Sequence, residues 1–492
     1  MDIKEIIFGT VGGLAIFLFG MTYMAESLEK IGSNSLKKLL HALTKNRLNA
    51  ILIGAGVTCI IQSSSATSVI VVGFVNAGLL QLEQAIAVVL GADIGTTITA
   101  WIVSTMGIGR LEITAYSLPV IAVGFVIYFV SKSTKKKMIG QTILGFGLLF
   151  LGLGIMSDGV KSIKGSPVVM AFFVKFSSSP PMELLIGIIF TCIIQSSSAT
   201  IAIVQVMAFQ GIFGLETALP LVLGANIGTT ITAQLAVTGG TRAARAVANA
   251  NTLFKVFAVL IFIPLLFSGW YQAGVLAIVP DKIVEETARN SRIMLQIAVA
   301  HSVFMLINVP LFSTLLWRFL IACAKKITFA GKPTGEPEEI RYLDPLLLKT
   351  PQIALEQCVR QIEYMTLQCQ KNINAAFEAF MQMNLDEART ILKRESRIDN
   401  LQSEITAFLV ELGSMGLTEE QSRLIPKLIH CVNDAERIGD HAKNLLELTQ
   451  ISVDNNYKFS AQAIEDLKKY FELVEKQFKA VISALQTRKS SA

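Results

Sequence analysis

The side chains best suited to chemistry in this chain are amides and hydroxyls set in apolar surroundings, and they occur in duplicate. Thr58-Cys-Ile-Ile-Gln-Ser-Ser-Ser-Ala-Thr67 recurs letter for letter as Thr191–Thr200. Leu90-Gly-Ala-Asp-Ile-Gly-Thr-Thr-Ile-Thr-Ala100 recurs as Leu223-Gly-Ala-Asn-Ile-Gly-Thr-Thr-Ile-Thr-Ala233. Both second copies stand 133 residues downstream (62 to 195, 91 to 224), so a whole unit is duplicated. Amide and hydroxyl oxygens, with carbonyls freed at a helix break, are neutral hard ligands that suit a small cation such as Na+. Hydroxyl hydrogens, the glutamine NH2 and free backbone N–H groups suit an oxyanion, and a half-helix starting at the break adds its positive dipole end. Two such motifs meeting tip to tip could surround a tetrahedral anion with donors.

The second motif is complementary. Gly91, Gly95, Gly224 and Gly228 allow close helix approach or local unwinding, Asp93 and Asn226 offer an oxygen, and Thr96, Thr97, Thr229 and Thr230 add hydroxyls. Asp93 is an acid inside an apolar segment, which is costly and faces a pathway or an ion; its charge favours Na+ directly. Bland readings compete. Small and threonine-rich stretches are often only packing surfaces between helices, and Asp93 could be a neutral, hydrogen-bonded acid. A serine run is usually a linker, but here apolar helix flanks it and it is repeated. His301, alone on a helix, reads as structural rather than as a proton relay. Asn249, Asn251 and Lys255 are polar near mid-span with no role assigned, and Arg242 and Arg245 read as anchors at the membrane face.

These residues need a membrane scaffold. The chain has 492 residues, 52% hydrophobic and 16% charged, with a mean hydropathy of +0.55, too apolar for a soluble protein of this size. Apolar segments are expected near 6–26, 48–78, 84–105, 113–131, 139–157, 183–214, 217–238, 246–268 and 293–324. A simple span needs about 20 residues, so 48–78 and 183–214 are too long for one crossing and short for two. Each is interrupted by its Gln-Ser-Ser-Ser and fits a re-entrant hairpin with a protein-buried tip. With the N-terminus outside, Lys37, Lys38, Lys45, Arg47, Lys135–Lys137, Arg242, Arg245, Lys325 and Lys326 fall inside, and Asp281, Glu285 and Glu286 outside. That agrees with the positive-inside rule, although Lys161, Lys164 and Lys175 would lie outside. Each unit then has three crossings and one hairpin, an odd number, so the second copy is inverted. A weaker echo links Ala248–Phe254 with Ala298–Phe304. The apolar run Ile6–Phe19 follows Asp2 and Glu5 with no cleavage site and reads as a retained helix. Six scattered cysteines with no CxxC spacing indicate neither zinc nor a disulfide framework. The net charge of +6 goes with membrane-flanking loops, and no nucleic-acid-binding stripe is present.

The expected division is 1–130 and 131–270 for the two transmembrane repeats, 271–326 for an extra transmembrane helix, 327–344 for a linker containing the breaker-rich Gly331–Glu338, and 345–492 for a soluble helical domain. Helices are expected there near 351–383, 385–413, 418–450 and 460–487, with breaks at Gly413, Gly416 and Asn455-Asn456. Glu395/Asp399 and Glu436/Asp440 are each spaced i, i+4, which puts both carboxylates of a pair on one helix face. Packed together they could bind a divalent or iron cation; the bland alternative is a solvated face with Arg397 and Arg437 in salt bridges.

Gln62–Thr67 with Gly91–Thr97, and Gln195–Thr200 with Gly224–Thr230, resemble the duplicated signature of the Na+/phosphate cotransporter family, in its type II and bacterial branch, over about residues 5–325. The resemblance implies an all-α membrane protein and a Na+-coupled symporter importing inorganic phosphate. By it, Gln62, Ser63, Ser64, Ser65, Gln195, Ser196, Ser197 and Ser198 bind phosphate. Na+ falls to Gln62, Ser65, Asp93, Thr96, Thr97, Gln195, Ser198, Asn226, Thr229 and Thr230. Asp93 departs from the asparagine expected at its position, and Lys255 stands where an asparagine often follows the phenylalanine. Asn433–His441 and Glu395–Asp399 resemble PhoU proteins, helical regulators of phosphate uptake. This implies cytoplasmic regulation at an inner membrane, with metal binding and homodimer contacts as open elements. Two other functions fit the residues: a phosphate sensor that does not transport, and a transporter of another oxyanion such as sulfate or arsenate. No nucleotide loop, metal-hydrolase motif or nucleophile–base pair points to an enzyme.

Overall fold

The structure is a computed structural model that describes residues 3–41, 46–105, 113–164, 179–238, 241–281, 286–329, 343–349, 351–415, 417 and 419–491. Lys45, Lys175, Glu285, Gly416 and the linker Gly331–Glu338 lie outside the described residues, as do the side chains of Lys37, Lys38, Lys164 and Glu286. The described residues form helices and turns with no strand. By contacts the chain divides into one unit of residues 1–75 and 79–338 and another of residues 76–78 and 339–492.

The first unit begins with α1 (Ile3–His41), then α2 (Arg47–Ile61) and α3 (Ser64–Asn76), α4 (Leu82–Ser104), and α5 (Ser117–Val130). It continues with α6 (Thr134–Lys164), α7 (Pro180–Ile194) and α8 (Ser197–Phe209), α9 (Leu215–Gly228) with α10 (Thr230–Ala236), and α11 (Arg242–Phe267). α12 (Trp270–Ile278), α13 (Glu286–Ser313) and α14 (Trp317–Phe329) complete it. Among the described residues six stretches are long and apolar enough to cross a membrane: Phe8–Leu28, Leu82–Ser104, Thr134–Lys161, Leu215–Ala236, Arg242–Phe267 and Arg292–Ser313. The segment expected as one span over 293–324 is divided by a turn at 314–316, so α13 and α14 replace a single helix. Pro310 lies inside α13, one turn before the break.

Both long apolar segments are broken at their polar motifs, and the chain doubles back there. Thr58 Oγ1 donates to Thr67 Oγ1 at 2.9 Å, and Thr191 Oγ1 to Thr200 Oγ1 at 2.8 Å. In a continuous helix residues nine apart would be separated by about 13 Å along the axis.

Glycines set how closely the helices pack. A methyl added at Gly54 would lie 2.0 Å from the Val88 carbonyl oxygen, and at Gly91 1.9 Å from that of Ile51. The equivalents in the second unit are Gly187 with Leu221 at 2.3 Å and Gly224 with Leu184 at 2.1 Å. α2 therefore lies backbone to backbone on α4, and α7 on α9, in the same register. α1 and α6 are bound the same way: Gly13 meets Met156, Gly20 meets Leu149, Gly152 meets Phe17 and Gly145 meets Met24. Numbers rise along α1 as they fall along α6, so the two run antiparallel. In lipid, where tails are as apolar as leucine, such close packing is a main source of helix association. Phe17, Phe150, Leu153 and Met156 from this pair join Ala199, Ala202 and Val206 of α8 in a buried apolar cluster.

In the second unit α15 (Pro351–Gln382), α16 (Ala388–Gly413) and α17 (Glu419–Asp454) pack on one another, and α18 (Ala461–Ser491) lies along α15. α16 buries Ile391, Ile398, Leu401, Ile405, Phe408, Leu409 and Leu412, a stripe at three- and four-residue spacing. α15 and α16 match the expected segments within three residues, and α17 and α18 run four residues beyond theirs, to Asp454 and Ser491.

Candidate functional site

The site is built on the two helix breaks. Gln62 (φ 57°, ψ 22°) and Gln195 (φ 59°, ψ 22°) both sit in the left-handed region. Their N–H groups donate to the carbonyls of Thr58 and Thr191, each at 2.7 Å, which ends the first half-helix. A residue with a Cβ costs about 1–2 kcal/mol in this conformation, and glycine would avoid it. A glutamine held there twice points to a use for the amide. Ser63 and Ser196 then cap the second half-helices, their hydroxyl oxygens accepting from the N–H of Ala66 (3.1 Å) and Ala199 (3.2 Å). The first N–H groups of α3 and α8, at Ser64, Ser65, Ser197 and Ser198, have no partner within their helix. Those donors stand at the tips of the hairpins.

One threonine joins the two tips. Thr99 Oγ1 donates to Gln62 Oε1 at 3.1 Å, and Ser198 Oγ donates to Thr99 Oγ1 at 3.5 Å. The Gln62 amide also donates from Nε2 to the Cys59 carbonyl. Polar groups 99 and 136 residues apart in sequence (99 to 198, 62 to 198) thus form one buried line. The copies are not equally enclosed: Gln62 is 5% exposed, whereas Gln195 is exposed.

Around the tips lie the second motifs. The hydroxyls of Thr96, Thr97 and Thr229 donate to the carbonyls of Ala92 (3.0 Å), Ile94 (2.8 Å) and Ala225 (2.8 Å), so these side chains offer lone pairs rather than hydrogens. That is the form a Na+ ligand needs. Thr230 is buried beside them on α10, and Ser65 is half-buried on α3. Asn226 donates from Nδ2 to the Val222 carbonyl, and its Oδ1 lies 3.3 Å from His301 Nε2. Asp93, by contrast, is not a bare charge. Lys255 of α11 places Nζ 2.9 Å from Asp93 Oδ1, with both side chains 3% exposed. Of the other polar residues, Asn249 belongs to a network in which Gln234 donates to Asn249 Oδ1 and Thr252 Oγ1, and Asn249 donates to Thr328. It ties α10, α11 and α14 together. Asn251 is buried, and Arg242 and Arg245 stand in the first turn of α11.

Sequence reasoning passed over Thr99 and Gln205. Thr99 carries no distinguishing signal, because its repeat mate Thr232 is also a threonine, and that residue donates to the Thr229 carbonyl instead. Gln205 had one: it is a lone amide in the apolar run Ile201–Phe209, where the first copy has Val72. Its Nε2 donates to the carbonyls of Ala100 (3.0 Å) and Met294 (2.9 Å), tying α8 to α4 and α13.

In the second unit Glu395, Asp399 and Asp440 bring carboxylate oxygens within 4.8 Å of one another; Glu436 is not part of this triad. Lys443 Nζ stands 3.4 Å from Glu395 Oε1, an ion pair that the spacing of the carboxylates did not suggest. Arg397 also lies over the ring of Tyr364. Burial, then the neighbouring Glu395 and Asp440 carboxylates, raise the Asp399 carboxyl above the usual range. Glu436 is raised by burial, then by Asp440 and Asp399.

Fold and centre define an α-helical membrane protein with a duplicated polar core. The model of the Na+/Pi-cotransporter matches residues 16–158 and 152–278, and that of the PhoU domain residues 362–449. The chain belongs to the Na+/Pi-cotransporter family, a family of transporters rather than enzymes, and carries a PhoU domain. YjbB of Escherichia coli (strain K12), provisionally named an inorganic phosphate export protein, is 24% identical over 478 residues, 96% of this chain and 83% of YjbB. The uncharacterized protein YqeW of Bacillus subtilis is 33% identical over 256 residues, 51% of this chain and 80% of YqeW. Human sodium-dependent phosphate transport protein 2B is 32% identical over 171 residues, 31% of this chain and 24% of that protein. No solved structure matches the chain.

Proposed function

We propose that this protein is a secondary transporter that moves inorganic phosphate together with Na+ across the inner membrane. The observation that carries the reading is the line from Gln62 through Thr99 to Ser198, which supports one binding centre built from both hairpins. Phosphate is held between the tips by the amides of Gln62 and Gln195, by Ser63, Ser64, Ser65, Ser196, Ser197 and Ser198, and by the free N–H groups of two half-helices. Na+ is taken by neutral oxygens: Gln62, Ser65, Thr96 and Thr97 on one side, and Gln195, Ser198, Asn226, Thr229 and Thr230 on the other. Asp93 is already paired with Lys255.

The repeats are 1–130 and 131–270, inverted relative to each other. Support comes from α1 and α6, which stand at equivalent places in the two copies (Gly12 with Gly145, Phe17 with Phe150) and run antiparallel. The unequal enclosure of Gln62 and Gln195 fits a conformation open at one hairpin, whose exchange between repeats would alternate access. Residues 271–326 complete the membrane unit, 327–344 link it, and 345–492 regulate from the cytoplasm. A cation at Glu395, Asp399 and Asp440 in that domain would have to displace Lys443 from Glu395.

An inward Na+ gradient drives import. The export name of a relative covering nearly the whole chain favours a second reading, net efflux when internal phosphate is high. Proteoliposomes with labelled phosphate separate the two. Uptake should collapse when Na+ is replaced by choline, and Gln62→Ala or Gln195→Ala should lower it about tenfold or more, as expected for removing a hydrogen bond to a charged ligand. Equal uptake without Na+, or full uptake in both variants, would overturn the proposal. Binding without accumulation would mark a sensor, and stronger competition by sulfate or arsenate a different oxyanion.

A further inference from the structure

The two copies of the second motif differ at one functional position, Asp93 against Asn226, and the structure gives each a different partner. α11 and α13, which carry the echo Ala248–Phe254 and Ala298–Phe304, both pack against α4 and α9. From α11, Lys255 presents an ammonium to Asp93; from α13, His301 presents a ring nitrogen to Asn226. One position therefore holds an aspartate–lysine ion pair and the other an asparagine–histidine hydrogen-bonded pair. Asp93 and Lys255 are both almost wholly buried, and a buried carboxylate with no counter-charge is strongly destabilising. A carboxylate buried there needs either a proton or a counter-cation, and in this chain a cation is covalently attached beside it.

We infer that Lys255 is a coupling determinant: its ammonium fills the cation place at Asp93, so the first repeat's Asp93 takes no Na+ during transport. The inference rests on the Na+-coupled reading above. Asp93 Oδ2 has no partner among the described residues, but a Na+ there would stand next to Nζ and leave the pocket with an unbalanced positive charge. A neutral donor on Oδ2 raises no such conflict. Lysine and Na+ also differ in a way that matters for the cycle. A bound Na+ leaves with the substrate, whereas the lysine stays and returns with the empty carrier. A fixed ammonium thus keeps Asp93 neutralised in every state and contributes nothing to the driving force. The aspartate and the lysine add one negative and one positive charge, so the centre gains structure without gaining net charge.

The test is ion coupling in reconstituted full-length protein, read by the Na+ dependence of phosphate uptake and by charge moved per phosphate at fixed pH. In Lys255→Asn the carboxylate loses its counter-ion and should recruit Na+. The Hill coefficient for Na+ should rise by about one, and one further positive charge should move per phosphate. In Asp93→Asn/Lys255→Asn both charges are gone, and the number of Na+ coupled should equal that of the unaltered protein. An unchanged Na+ titration in Lys255→Asn with transport intact would overturn the inference. So would a double variant that couples one Na+ fewer, since that loss would make Asp93 a Na+ ligand in the unaltered protein. Should Lys255→Asn not be recovered folded, the double variant, which buries no charge, decides alone. Unaltered protein that transports phosphate without Na+ would instead remove the earlier reading, so the two failures are distinguishable.

Discussion

Glutamine in a left-handed conformation is an uncommon use of a residue, and Gln62 and Gln195 adopt it with nearly the same angles. The conformation turns the end of the half-helix while keeping an amide at the tip, which glycine could not supply. What the amide of Gln62 meets is then settled by Thr99, buried between the hairpins. Thr99→Val keeps the shape and removes the hydroxyl, leaving Gln62 Oε1 without this donor and Ser198 without this acceptor. Such a loss in a buried site is worth about 1–3 kcal/mol. Phosphate uptake at low substrate should fall about tenfold in Thr99→Val and recover largely in Thr99→Ser, measured as initial rates. Equal rates in the two variants would mean that the hydroxyl does not hold the centre together.

Several helices in the membrane unit are locked in pairs at their glycines. α2 on α4 and α7 on α9 are in backbone contact, and that contact fixes where the hairpin tips stand relative to Asp93 and Asn226. Gly91→Ala would drive a methyl against the Ile51 carbonyl, and Gly224→Ala against that of Leu184. Neither obstacle is a flexible side chain, so the helices must separate. Each should destabilise the protein by about 1–3 kcal/mol, the usual range for overpacking, and lower the thermal transition in detergent. Gly56→Ala is the control on α2, because nothing lies within 4 Å of the added methyl. It should be neutral or slightly stabilising, by up to about 1 kcal/mol from helix propensity. A neutral Gly91→Ala would show that the close contact is not needed for the fold.

At the scale of the whole molecule, two units with separate cores share one chain. The membrane unit contains all the polar groups of the candidate centre, and the PhoU domain contributes none of them. A chain ending at residue 338 should therefore retain Na+-dependent phosphate transport in proteoliposomes, with an altered rate or altered response to internal phosphate. Complete loss of transport in a folded, monodisperse truncation would place the domain in the transport cycle itself.

The sequence alone carried the duplicated motifs, the interruptions of the helices at those motifs and the helical C-terminal region, because those features are periodic or repeated. Apolar runs of about 20 residues must become helices in a bilayer, and a polar tip within one must be buried in protein or line a water-filled cavity. The pairs of carboxylates on α16 and α17 were legible for the same reason, being fixed by the turn of a single helix. Three things were decided only by tertiary structure. Thr99 rather than its equally lettered neighbours joins the hairpins. The acid at Glu395 is met by Lys443, from a different helix. Asp93 is held by Lys255, 162 residues further on (93 to 255), from a helix whose register against α4 no local pattern encodes. A charge in a membrane core announces itself in a sequence by its cost; its partner is chosen by which helices come to lie side by side.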